Sequence, residues 1–367
     1  MSIEARKRDH IKISLNQDVS YKEKTSWFEF VELVHNAAPE LSEDELRLEA
    51  RFLDKTFGMP LLIEGMTGGT AEAEKINGNL AEAAATLKIP TGVGSQRAAI
   101  VRPELARTFR IARDRAPDGF LIANIGGVQL VEHGPELAIK AIEMIDADAI
   151  AIHLNPLQEL VQPDGLANFR GLLRALRELR RELNVPIIVK EVGCGISGDA
   201  ARRLEEAGAS AIDVAGSGGT NWTLIELIRA EELNSVEKAR VAETFLEWGI
   251  PTAAATLEVR AATSLYVVAS GGMRTGLDAA KAIALGADMV GFAHPLLEPA
   301  ARSAEAVIAK LKQIAAELKA ALLLTGSGDI EKLKAADFIL LGPLLQWAEQ
   351  RCREHPKLRN KLTHARR

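Results

Sequence analysis

Eight short runs of aliphatic and β-branched residues punctuate the chain, at Leu61–Glu64, Thr91–Gly94, Phe120–Asn124, Ala149–His153, Pro186–Glu191, Ala211–Ala215, Leu265–Ala269 and Met289–Ala293. They lack polar alternation, the pattern of strands buried on both faces. Between them apolar residues recur at helical spacing. The clearest stretch is Asn168–Leu183, where Phe169, Leu172, Leu173, Leu176, Leu179 and Leu183 share one face. Asn168 is placed to cap it, and Asn184-Val185-Pro186 ends it. The patterns closing at Gly208 and Gly286 each end on glycine just before the next strand.

Eight strand–helix alternations predict an α/β fold, a (β/α)8 TIM barrel. A doubly wound dinucleotide-binding sheet needs a G-x-G-x-x-G turn, and Gly92-Val93-Gly94-Ser95-Gln96-Arg97 has Arg in place of the third glycine. Residues 1–60 precede the first strand as an N-terminal extension. Residues 230–262, with Phe245, Trp248 and Ile250, read as a helical insertion, and Arg302–Leu324 as a closing helix. The expected organisation is one structural domain, with segment 1–60 laid against a barrel over 61–367.

Composition narrows the class. The hydrophobic fraction of 47% and charged fraction of 26% are those of a globular protein, and a net charge of −5 gives no footprint for nucleic acid. The two cysteines, Cys194 and Cys352, are too far apart in sequence to suggest a zinc site or a disulfide framework. Met1–His10 has no apolar core of a signal peptide, and no run reaches the ~18–20 apolar residues of a membrane span. A cytoplasmic protein with no membrane or nucleic-acid partner is expected.

Parallel barrels bind ligands at the C-terminal ends of their strands. In this chain those ends carry small or polar residues throughout: Gly65-Met66-Thr67-Gly68-Gly69, Gly94-Ser95-Gln96-Arg97, Asn124-Ile125-Gly126, Gly216–Thr220, Gly271-Gly272-Met273-Arg274 and Ala293-His294. The densest is His153-Leu154-Asn155-Pro156-Leu157-Gln158-Glu159. The seventh and eighth loops suit a phosphate, with Gly271 and Gly272 letting backbone N–H groups approach and Arg274 able to fork onto it. Lys190, ending an apolar strand, reads either as a Schiff-base nucleophile or as a cation facing a bound anion. Glu159 is a candidate Mg²⁺ ligand acting together with substrate phosphates.

The motifs Arg6-Lys7 with Asp9-His10, Met66–Gly69, Gly94–Arg97, His153-Leu154-Asn155 with Gln158-Glu159, Val189–Gly193, Gly218–Trp222, Trp248–Thr252 and Gly271–Gly276 together resemble the flavin-dependent, type 2 isopentenyl-diphosphate isomerases over nearly the whole chain. The resemblance implies FMN, Mg²⁺, NADPH or NADH as flavin reductant, and a homo-tetramer or homo-octamer. It implies a 1,3-proton shift between isopentenyl and dimethylallyl diphosphate, with reduced flavin N5 as principal acid/base. In its terms Gln158, His153 and Lys190 are catalytic. The flavin meets Met66, Thr67, Gly68, Ser95, Asn124, Lys190, Thr220, Gly271, Gly272, Met273, Arg274, Ala293 and His294. The diphosphate meets Arg6, Lys7, His10, Ser95, Gln96, Arg97, His153, Asn155 and Gln158, with Glu159 on the metal. His294 departs from the family's usual residue. The 2-hydroxy-acid oxidases, flavin barrels of another chemistry, need a His base with a neighbouring Arg where this chain has Gly216–Thr220.

Overall fold

The computed structural model describes residues 3–353; the last part of the range expected for the barrel, 354–367, lies outside the described residues. In chain order the strands are β1 (Val31–Leu33), β2 (Ala50–Phe52), β3 (Lys55–Phe57), β4 (Leu61–Ile63), β5 (Thr91–Gly92), β6 (Leu121–Gly126), β7 (Ala149–His153), β8 (Ile187–Lys190), β9 (Ala211–Asp213), β10 (Tyr266–Ala269), β11 (Met289–Phe292) and β12 (Phe338–Leu340). Strands β4 to β11 close, all parallel, into the eight-stranded barrel expected from the sequence.

The two-residue period of a strand sets the barrel interior. Leu62, Ile122, Ala151, Ile188 and Val268 fill a lower, apolar layer. Two residues further along the same strands, or at their ends, come Glu64, Asn124, His153, Lys190 and Ser270, with Asp213 at the end of β9. The barrel is thus oily below and polar at its C-terminal end. In register, His153 pairs with Lys190 and Lys190 with Asp213, so three polar groups stand in a row on adjacent strands.

Several expected boundaries move. The helix expected over 168–183 is Leu172–Glu182, because Gly171 (φ +90°) breaks the chain direction just before it and displaces Asn168 from the cap. The insertion is Trp222–Glu232 and Val236–Thr244; Thr252–Ala262, included in it from sequence, is a regular barrel helix between β9 and β10. The Ala-rich stretch forms Ala304–Thr325, which packs between Ala71–Leu87 and Gly276–Ala284 as the eighth barrel helix. Several helices start on a side-chain cap, including Thr70, Ser197, Asn221, Ser303 and the Thr275–Asp278 capping box, each worth about 1 kcal/mol.

The N-terminal 60 residues clasp the barrel at both ends. At the bottom, the β2–β3 hairpin inserts Phe52 edge-on to Tyr266 (5.5 Å) and Phe57 edge-on to Phe120 (5.3 Å), residues where barrel strands begin. At the top, the helix Ile3–Asn16 lies over the mouth. Residues 20–26 tie it to the barrel: Tyr21 N–H donates to Gly219 O, and the Tyr21 hydroxyl donates to Gly193 O (2.8 Å), with Trp248 O also within reach (3.1 Å). Between these, β1 pairs antiparallel with β12, Val31 opposite Leu340. No helix among the described residues is long and apolar enough to cross a membrane.

Candidate active site

A cavity of about 1610 Å³, including open space at its mouth, fills the C-terminal end of the barrel beneath the helix Ile3–Asn16. Every site residue expected from the sequence lines it except Gln96 and Gly68.

The floor is Lys190. Its ammonium, buried, lies 3.4 Å from Asp213 Oδ2 and 3.7 Å from Glu64 Oε2 and donates to Glu191 O (2.8 Å). Burial alone would lower its pKa, but the two carboxylates outweigh it and hold the ammonium above its usual range. A permanently charged, ion-paired lysine is a poor nucleophile, so the geometry selects the cation over the Schiff base.

Beside it stands His153, whose Nδ1 is 2.7 Å from Asn124 Oδ1. Asn124 Nδ2 donates to Val93 O (3.1 Å), which makes Asn124 Oδ1 the acceptor and puts the imidazole proton on Nδ1. Burial first, then Lys190 and Lys7, push the His153 pKa down to about 3. It is neutral, with Nε2 free.

The lid side is cationic. Lys7 is half-buried and has no carboxylate partner among the described residues; desolvation, then Arg6, lower its pKa to about 8. Arg6 pairs with Asp164 (3.1 Å) at the rim. Arg97 adds a third cation, unpaired among the described residues, and Ser95 a hydroxyl. On the opposite wall Arg274, two residues past the Gly271-Gly272 turn (φ +96° and +76°), has no salt-bridge partner among the described residues. His294 Nε2 meets Ser14 O (3.1 Å), so this departing residue fastens the lid helix.

The third wall is a network that sequence reasoning missed in part. Gln158 Oε1 accepts from Asn155 Nδ2 (2.9 Å), and Gln158 Nε2 donates to Glu226 Oε1 (3.1 Å). His10 Nε2 lies 2.9 Å from that same oxygen, and Arg229 Nη1 donates to Glu226 Oε2 (2.5 Å). Although burial raises it, these donors bring the Glu226 carboxyl below its ordinary range, so it is ionised. Glu226 and Arg229 sit in the insertion helix Trp222–Glu232, inside Thr-Leu-Ile-Glu-Leu-Ile-Arg-Ala. A charged pair at i, i+3 within an apolar helix was the available signal.

Glu159 is buried; its Oε2 accepts from Leu166 N–H (3.1 Å), while Oε1 meets only Asn155 Nδ2 at 3.4 Å. Among the described residues no three His, Cys, Asp or Glu cluster to hold a metal unaided. This donor set fits Mg²⁺ held by one carboxylate and substrate oxygens.

Two expectations are corrected. Gln96 is fully buried and turned from the cavity: Nε2 donates to Ala141 O (2.7 Å) and Oε1 accepts from Asn124 N–H (2.9 Å), so it pins two barrel elements and is not in contact with the cavity. Gly68 packs against Phe109, whose ring atom lies 1.9 Å from where a Cβ would stand; its role is close packing.

The polar floor, a phosphate-competent turn, and a buried Thr67 hydroxyl without a partner fit a flavin mononucleotide. Fold and site together define an FMN-type (β/α)8 enzyme. Residues 167–339 match the family model described as FMN-dependent dehydrogenase. Isopentenyl-diphosphate delta-isomerase of Ignicoccus hospitalis is 47% identical over 353 residues, covering 96% of this chain and 97% of that one; that of Pyrococcus furiosus is 45% identical over 369 residues, covering 97% and 92%. This chain belongs to the isopentenyl-diphosphate delta-isomerase family. Among solved structures, a mandelate oxidase with an FMN adduct superposes with TM-score 0.62 at 17% identity (92% of this chain, 100% of that one), and (S)-mandelate dehydrogenase with 0.63 at 17% (90% and 95%). At that identity the likeness is one of fold.

Proposed function

We propose that the chain interconverts isopentenyl and dimethylallyl diphosphate by a 1,3-proton shift, with FMN on the cavity floor, Mg²⁺ on Glu159, and NADPH or NADH as the reductant of the flavin. A cytoplasmic homo-tetramer or homo-octamer is the assembly proposed with it. The observation that carries this reading is the pairing of two unlike walls in one cavity: unpaired cations at Lys7 and Arg97, and an ionised Glu226 behind Gln158. An oxidase of hydroxy acids needs no diphosphate wall, and the 216–220 loop that replaces its base lacks both His and Arg.

When bound, reduced flavin supplies an acid/base group and a π-face beside the alkene. Lys7, Arg97 and Arg6 hold the diphosphate, and His153 meets it with a ring whose free Nε2 gains a proton as the anion arrives. Glu159 anchors the metal against the same oxygens. Gln158, its amide oriented by Asn155 and Glu226, fixes the alkene end; Glu226 Oε1 is the ionised oxygen able to take a proton there, held in place by the N–H groups of Gln158 and His10 that donate to it. Ile11 and the lid helix exclude water, which would trap a cationic hydrocarbon.

The test is anaerobic turnover of isopentenyl diphosphate in D₂O with FMN and Mg²⁺, with and without NADPH. Deuterated dimethylallyl diphosphate, formed only with reduced flavin, is the expected result. Flavin bleaching by a hydroxy acid with no isomerised product would overturn the reading.

A further inference from the structure

Beneath the cavity, three ionisable groups meet inside the barrel. Strand β8 is the fourth strand from β4 in either direction round the ring, so Lys190 spans the barrel to reach Glu64 while remaining beside Asp213. All three are buried. Two carboxylates and one ammonium sum to −1, a charge the apolar layer below cannot stabilise; one proton on the pair makes the cluster neutral.

The hydrogen bonds say which carboxyl keeps it. Asp213 Oδ1 accepts from the Ser270 hydroxyl (2.5 Å) and Ala215 N–H (3.3 Å), and Oδ2 faces Lys190, so Asp213 is dressed as an anion. Glu64 Oε1 has no hydrogen-bond partner among the described residues. Its flanking strands β5 and β11 present Gly92 and Gly291, which bring no charge. A Cβ on Gly291 would stand 2.1 Å from Glu64 Oε1, so the carboxyl occupies space that only glycine leaves. The charged groups facing Glu64 are Lys190 and Asp213; Lys190 in turn sees Glu191 and His153.

We propose that Glu64 is a positioning residue that stores one proton under the flavin site, so that the Lys190 ammonium, balanced chiefly by Asp213, is left to stabilise negative charge on the reduced cofactor. The inference rests on the FMN reading above. Burial, then the Asp213 charge, raise the Glu64 carboxyl to about 8, against the pull of Lys190. Below that pH the cluster is neutral. Above it a second buried anion appears and opposes the anionic reduced flavin.

The experiment follows the flavin, not turnover. Spectroelectrochemical titration of the FMN-loaded enzyme between pH 6 and pH 10 is expected to show the midpoint potential bending downward near pH 8. Glu64→Gln is expected to match the wild type at pH 7 and to lose the bend. A wild-type potential without the bend, or a Glu64→Gln bend unchanged from it, overturns the proposal. Infrared spectra of the wild-type holoenzyme guard against a variant that loses flavin. A carboxylic acid C=O band at pH 7 that vanishes above pH 8 is expected, and its absence at pH 7 is equally fatal. Failure to bind FMN at all defeats the earlier reading instead.

Discussion

The two ends of the barrel treat charge in opposite ways. At the bottom, Arg113 is buried and makes six hydrogen bonds, to Ile145, Ala116, Pro117, Gly119 and Asp146 carbonyls and to Asp148. Arg260 repeats the device on the other side with Gly286 O, Leu265 O and Asp288. These donors are spent on holding strand entrances and helix ends. At the top, Lys7 and Arg97 lack carboxylate partners among the described residues, and Thr67 and Glu64 keep orphan oxygens. Satisfied polar groups give stability; unsatisfied ones, held by the same scaffold, are reserved for a ligand.

Glu226 crosses that division, because it belongs to the site yet forms a fully buried pair with Arg229. Glu226→Gln is therefore expected to do both kinds of harm: kcat lower by about 10²–10⁴-fold and stability lower by roughly 3 kcal/mol, read by steady-state kinetics and by urea unfolding. Arg113→Ala should act on the bottom alone. It removes six donations, five to carbonyls and one to Asp148, which keeps Leu121 N–H and Lys55 as donors, costing roughly 3 kcal/mol, while kcat/KM per folded molecule stays constant.

Lys7→Ala should act on the top alone, lowering kcat/KM about 10–100-fold through one lost charge-assisted contact with no loss of thermal stability. Its pH signature sharpens the point. The Lys7 folded pKa is lowered to about 8, so the cation proposed to meet the diphosphate disappears as pH rises through 8, and wild-type kcat/KM is expected to fall there. Lys7→Arg, always charged, should abolish that fall. The linked stability runs the other way: burying the ammonium is penalised below pH 8, and the penalty is relieved between about 8 and 10. The smallest effect belongs to the bottom hairpin, whose turn residues Leu53 and Asp54 have φ of +47° and +61°. Asp54→Gly is expected to stabilise by under ~1 kcal/mol, visible in calorimetry and silent in kinetics.

The barrel was legible because its strands are uninterrupted apolar runs with polar residues only at one end. Once the strand ends were placed, alternation put His153, Lys190 and Asn124 on the cavity floor. Glu64 and Asp213 obey the same rule; one closes a run and one lies within a run, and both looked like ordinary strand residues until Lys190 was seen to reach them. Gln96 misled because β5 ends at Gly92, two residues before the expected boundary, and the turn that follows rotates its amide into the core. Gly171 carried the correct helix start in plain view. Glu226 could be placed only with the tertiary fold, since its partners His10 and Gln158 lie 216 and 68 residues away along the chain.

The β1–β12 pairing joins residues 31–33 to residues 338–340. On the ribosome the lid helix precedes the barrel, yet the strand that pairs with the segment behind it emerges only after all eight barrel strands have been made. Part of the anchorage of this N-terminal segment therefore forms late, whereas the Tyr21 contacts to Gly193, Gly219 and Trp248 can form earlier. Full closure of the cavity roof is thus tied to the docking of a strand that follows the whole barrel.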